Sequence, residues 1–157
     1  MKLPVSTEWL LHCATTLAQL EPGTTASAAQ LAQYYDLPAA SLAKQLQTLV
    51  KAGVLSATTG PRGGFRLARQ PSEITLLQIV EAVGGTSSPY ECREIRRRGR
   101  GALPPEDCRN TCVLALKMAD AHEAWRHSLA GSSLADILAA LPPSAPSRTR
   151  LRLTGTA

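Results

Sequence analysis

Two pairs of residues in this sequence have the types and spacing to act together. Cys108 and Cys112 stand four apart, and Glu8 and His12 stand four apart near the other end of the chain. On a helix that spacing stacks two side chains on one face, a turn apart. The sequence predicts a helix beginning near Cys108 with Asp107 as its cap, which puts both thiols at a helix N-terminus. Aligned N–H groups there lower a thiol pKa, and the thiolate is the form that ligates a metal. Glu8 and His12 make a carboxylate–imidazole clamp, set away from the apolar face of Leu10, Cys13 and Leu17. Cys92 is a more distant thiol and an alternative ligand, whereas Cys13 reads as a core residue. By residue type alone, Cys108 and Cys112 suit zinc or a plain redox pair.

The chain that must position these groups has 157 residues, 44% hydrophobic and 18% charged. That is enough apolar material for one compact domain and too little charge for a disordered chain. No apolar run approaches the ~18 residues a membrane span needs, and the N-terminal segment, broken by Glu8 and His12, does not read as a signal peptide. A cytoplasmic location is expected, where cysteines serve as ligands or redox groups more often than as disulfides. The net charge of +5 suits a polyanionic partner. A hydrolytic zinc enzyme would need a substrate-binding loop, and none is evident beyond residues 84–107, so the chain reads as a non-enzyme.

Periodicity predicts a helix over Val5–Leu20, a short helix over Ala28–Tyr35 capped by Ser27, and a third over Ala39–Ala52. Two short strands, Val54–Ala57 and Phe65–Ala68, flank a turn containing Gly63 and Gly64. A helix over Thr75–Val83 follows. Residues 84–107 form a long arginine-bearing loop, with one helical turn around Glu91–Arg97. Helix resumes from Cys108 to Ala130 with a stripe of Leu114, Met118, Ala121, Trp125 and Leu129, suited to a partner helix. A short helix over Ser132–Leu141 precedes a tail, 142–157, that reads as disordered because it holds three prolines, three arginines and no acid.

The fold class expected is mainly α with a small β wing: a winged helix-turn-helix domain in residues 1–83, a loop, 84–107, and a long helix with a short C-terminal helix in 108–141. Winged helices bind nucleic acid. Ser41, Lys44, Gln45 and Thr48 share the polar face of the third helix, where they suit a major groove. Arg62 stands at the hairpin tip and suits a minor groove, and Gly63-Gly64 would let the backbone approach the sugar-phosphate.

Several stretches carry a family resemblance: Leu42-Ala43-Lys44-Gln45-Leu46 with Leu49, Ala52-Gly53-Val54-Leu55, Gly63-Gly64-Phe65-Arg66-Leu67-Ala68-Arg69, and Pro71-Ser72-Glu73-Ile74-Thr75-Leu76 continuing through Ile79-Val80-Glu81-Ala82-Val83. In these the chain resembles the Rrf2 family of winged-helix transcription regulators over residues 1 to about 140. Glu8-Trp9 with His12 looks most like the redox-sensing, RsrR-type branch. The resemblance implies a homodimer built on the long helix and binding palindromic double-stranded DNA, and the mode of regulation expected is repression, with activation left open. It also implies a 2Fe–2S cluster in the loop region, with Glu8 and His12 of one protomer meeting Cys108 and Cys112 of the other, and Trp9 as a redox-coupled neighbour. Alternatives are a 4Fe–4S cluster using Cys92, as in nitric-oxide sensors, or a zinc or thiol site without a cluster. The cysteine spacing departs from the more even spacing of commoner members. Ser41 departs too, standing where others often carry an aromatic residue, so the DNA contacts do not transfer residue for residue.

Overall fold

The computed structural model describes residues 2–155 and divides them into two compact units, 86–128 and 2–85 with 129–155.

The larger unit is organised by α1, Val5–Leu17, which buries Leu10, Cys13, Ala14 and Leu17. Helix α2, Ala28–Tyr35, starts in a capping box: the Ser27 hydroxyl accepts from the Gln30 N–H, and the Gln30 side chain accepts from the Ser27 N–H. It stops at Asp36, whose left-handed backbone (φ 53°) turns the chain. Helix α3, Ala39–Lys51, packs on it through Leu42, Leu46 and Leu49, each fully buried. Burying a leucine contributes about 1.5–3 kcal/mol, so these three positions hold the apolar face of α3 in the core.

Strands β1, Leu55–Thr58, and β2, Gly64–Leu67, pair antiparallel with Leu55 opposite Leu67 and Thr58 opposite Gly64. Both lie one residue off the positions expected from sequence. The hairpin is fastened to the chain before α2 by a bridge between Ala26 and Phe65, with N–H to O distances of 3.0 and 2.8 Å. A Cβ on Gly64 would lie 2.7 Å from the Ala26 carbonyl, and one on Gly63 would strike the Thr58 backbone. The glycine pair is therefore needed inside the wing, to close the turn and seat the strand. That is a local reason, distinct from the approach to a sugar-phosphate expected from the sequence.

A second capping box, Thr75 with Gln78, opens α4, Leu76–Gly84. The segment Ile74–Leu76 also pairs with Ser132–Leu134, which brings in α6, Leu134–Ala140, capped by Ser133. The tail differs from expectation. Residues Ala145–Thr154 form a helix, α7, with Thr149 and Leu153 buried. Thr149 donates to Gln19 Oε1 at 2.9 Å and Arg150 pairs with Glu21 at 3.1 Å. Prolines at 142, 143 and 146 precede or open the helix, where they are tolerated, so they delimit it instead of preventing it.

The smaller unit holds two 3-10 turns, Ile95–Arg97 and Pro105–Cys108, and most of α5, Val113–Ala130. The expected helical turn within Glu91–Arg97 is present, but the expected helix from Cys108 is not. Pro104 and Pro105 open a 3-10 turn that contains Asp107 and ends at Cys108, and α5 begins five residues later. Cys108 and Cys112 therefore do not share a helix face, and Asp107 caps nothing in α5.

Gly64→Ala is expected to cost about 1–3 kcal/mol, since small-to-large changes at close contacts force backbone shifts of that cost. Chemical denaturation of the variant beside wild type measures it; an unchanged midpoint would contradict the close packing of β2 on Ala26.

Candidate metal centre and nucleic-acid interface

Cys112 is the N-cap of α5. Its carbonyl accepts the first helical hydrogen bond, from the Leu116 N–H at 3.0 Å. Its thiol accepts from the backbone N–H groups of Ala115 and Leu114, the donors a helix leaves unpaired at its start. These bonds hold the thiol pKa below its usual value despite the opposing effect of burial, and the Arg96 guanidinium and the Cys92 thiol add to the lowering. Cys92 lies exposed beside it, within hydrogen-bonding reach of Cys112. Tyr90 in turn donates to Cys92; desolvation and the neighbouring thiols keep that phenol protonated to higher pH than usual.

Arg96 anchors this segment. It makes a two-pronged bond to Glu94, 2.6 Å from Nε and 2.9 Å from one terminal nitrogen, and also reaches the Asn110 carbonyl at 3.0 Å. Its positive charge acts on both Cys112 and Cys108. Cys108 is buried, and its carbonyl is held by Arg97 at 3.1 Å. Residues 90–96 and 112–114 line a cleft of about 520 Å³ at this site. Among the described residues no three His, Cys, Asp or Glu side chains converge as a metal site. Within this unit the structure brings Cys92 to Cys112 and leaves Cys108 at the end of its 3-10 turn. Sequence spacing ranks Cys92 behind Cys108 because the sharp return of the chain at Glu94, left-handed at φ 50°, has no periodic signal.

In the larger unit, Glu8 and His12 are both exposed on α1, as their spacing predicts. The His12 ring lies 5.7 Å from the Tyr35 ring. Trp9 is half-buried and packs against the core, while Cys13 is wholly buried and its thiol is pushed up to about 12.

On α3, Ser41 and Lys44 are exposed and Gln45 and Thr48 half-buried. The Thr48 hydroxyl donates to the Gln45 carbonyl at 2.7 Å, so it is already engaged along the helix. Arg62 is exposed at the wing tip, and its carbonyl accepts from Thr25 at 3.2 Å. Two further cations share these surfaces. Lys51 continues the polar row three residues beyond Thr48, and Arg66 projects from β2, donating to Ser56 at 3.3 Å. Arg69, also exposed, is by contrast already engaged by the Gly53 and Glu73 carbonyls and the Gln78 side chain.

A three-helix core with a two-stranded wing and an exposed polar face on its third helix defines a winged helix-turn-helix protein. The Rrf2 family model, described as an iron-dependent transcriptional regulator, matches residues 3–140, and the chain belongs to that family. It is 29% identical to the HTH-type transcriptional regulator NsrR of Geobacillus kaustophilus over 140 residues, covering 88% of this chain and 90% of that one. Its fold matches the global cysteine regulator CymR of B. subtilis with a TM-score of 0.68 at 22% identity, covering 90% and 99% of the two chains. It matches IscR of T. potens with a TM-score of 0.68 at 19% identity, covering 92% and 91%. The protein is thus a DNA-binding transcriptional regulator, in keeping with relatives that are regulators and not enzymes. No helix among the described residues is long and apolar enough to cross a membrane.

In metal-free protein, Cys112 is expected to alkylate with iodoacetamide at lower pH than an ordinary thiol, whereas Cys13 stays unreactive. Arg96→Ala should move the Cys112 profile to higher pH. Peptide mapping after alkylation across pH checks this; a Cys112 profile no lower than that of an ordinary thiol would contradict the capping geometry.

Proposed function

We propose that this regulator binds an iron–sulfur cluster and represses transcription as a homodimer whose DNA affinity depends on the state of that cluster. The observation that carries the proposal is Cys112: a thiol whose pKa is lowered at a helix N-terminus, beside a cation and a second thiol. The donor chemistry of Cys108 and Cys112, with Glu8 and His12 from the partner protomer, suits a 2Fe–2S centre. When bound, such a centre supplies a one-electron couple, and mixed thiolate and histidine ligation raises its potential. The chain's own residues do the rest. The Ala115 and Leu114 N–H groups orient the Cys112 sulfur, Arg96 offsets thiolate charge, and α1 presents Glu8 and His12 to solvent, away from its core face. Trp9, next to Glu8 and packed on that core, is placed to move with any displacement of the carboxylate.

The dimer rests on α5. None of its eighteen residues is buried, and Val113, Leu114, Leu116 and Met118 are all exposed large apolar groups. A helix with that face needs a partner, and a second α5 supplies a matching one. Palindromic DNA then follows from two-fold symmetry, with Ser41, Lys44, Gln45 and Thr48 in the major groove and Arg62 on the wing.

The approach of Cys92 to Cys112 favours a second reading. Here Cys92, Cys108 and Cys112 give three thiolates and Glu8 a carboxylate, a set suited to a 4Fe–4S cluster. Iron and sulfide content of anaerobically purified variants separates the two. On the first reading Cys92→Ala keeps the cluster, while Cys112→Ala and Glu8→Ala lose it or bind it weakly. Loss of the cluster in Cys92→Ala, with wild type showing 4Fe–4S spectra, favours the second. A wild-type protein that takes up no iron or sulfide on reconstitution contradicts both and leaves a zinc or thiol site.

A further inference from the structure

We infer that α7 is an additional phosphate-contacting element, appended to the winged helix beyond the reach of the family fold, and that its partner is the backbone of duplex DNA. The family match ends at residue 140, and α7 spans Ala145–Thr154. The helix is a built part of the domain. Leu153 enters the core, Thr149 bonds to Gln19, and Arg150 is held by Glu21 and by the Gln19 carbonyl at 3.4 Å. These bonds use one face of α7. The other face carries Arg148 and Arg152, both exposed and one turn apart. Residues 142–157 contain no acidic side chain, and Glu21, the acid that meets α7, is already paired with Arg150.

The place of α7 identifies the partner. Gln30, in the first turn of α2, donates to the Leu153 carbonyl at 3.4 Å, so the last turn of α7 lies against the N-terminus of α2. That N-terminus adjoins the wing, because Thr25 bonds to Arg62 and Ala26 pairs with Phe65. In helix-turn-helix proteins the first helix of the motif crosses the DNA backbone, and helix N-termini favour phosphate. Contacts therefore link the wing tip to the start of α2, and the start of α2 to the last turn of α7 that carries Arg152. Arginine pairs with phosphate through a planar fork of donors, and such bonds carry no sequence information. The element raises affinity and salt sensitivity on any duplex and leaves base preference unchanged. It rests on the DNA-binding function and is independent of the cluster.

The test is the salt dependence of binding to a mixed-sequence duplex by the full-length protein. Three forms are compared: wild type, Arg148→Ala/Arg152→Ala, and Lys44→Ala/Arg62→Ala. Both arginines are exposed, so the first double variant should melt with wild type. Removing one phosphate-bound arginine should lower the slope of log K against log salt by about 0.9, and affinity near physiological salt should fall roughly tenfold in the double variant. Arg148→Lys/Arg152→Lys should restore most of the slope. If the slope of Arg148→Ala/Arg152→Ala equals that of wild type while Lys44→Ala/Arg62→Ala lowers it, the inference is overturned and the DNA-binding reading stands, with the α7 face left to a non-nucleic partner. If wild type itself does not bind duplex at any salt concentration, the DNA-binding reading fails as well.

Discussion

Everything in the larger unit depends on α1 having two unlike faces. One face is apolar and buried, through Leu10, Cys13, Ala14 and Leu17, and it packs against α3, α4, α6 and the wing strand β2. The other face carries Glu8 and His12 into solvent. Because the first face is close-packed, α1 cannot shift without disturbing α3, which carries the exposed polar row, or β2, which belongs to the wing. In the proposed regulator, a pull on Glu8 or His12 is thereby a pull on α3 and β2.

The smaller unit contributes the complementary chemistry. Cys112 serves as a helix cap, and the backbone donors that stabilise the helix start are the same ones that stabilise the thiolate. In the proposed regulator cap and ligand would be one group, and a metal-bound sulfur keeps lone pairs that can still accept from those donors. Arg96 supplies a counter-charge that persists whichever partner the sulfur has, since it is fixed by Glu94 and Asn110. In the proposed regulator this links the start of α5 to the state of the site, and α5 in turn links two protomers.

Much of this is legible in the sequence, for physical reasons that also explain the failures. Leu42, Leu46 and Leu49 repeat at helical spacing and face one core, so α3 and its polar row can be read directly. Ser27 announces α2 because a cap is a local interaction. Sequence spacing misplaces the start of α5 because Pro104 and Pro105 impose a 3-10 turn, and because cysteine is not a usual cap. The tail holds three prolines, three arginines and no acid, so it reads as disordered. Its order comes from three residues, Thr149, Arg150 and Leu153, that meet partners more than a hundred positions away. The approach of Cys92 to Cys112 depends likewise on one left-handed residue, Glu94, which no periodicity marks. Glu8 and His12 stand out because a spacing of four on a regular helix is enough to place them together.

The most direct test of the central claim is the affinity of the dimer for duplexes selected from a random library, measured at one salt concentration for oxidised, reduced and cluster-free protein. The account predicts that at least one of these states binds the selected DNA tenfold or more weakly than another, a difference of about 1.4 kcal/mol. Equal affinities in all three states would contradict it, leaving a winged-helix regulator whose cysteines do not govern its hold on DNA.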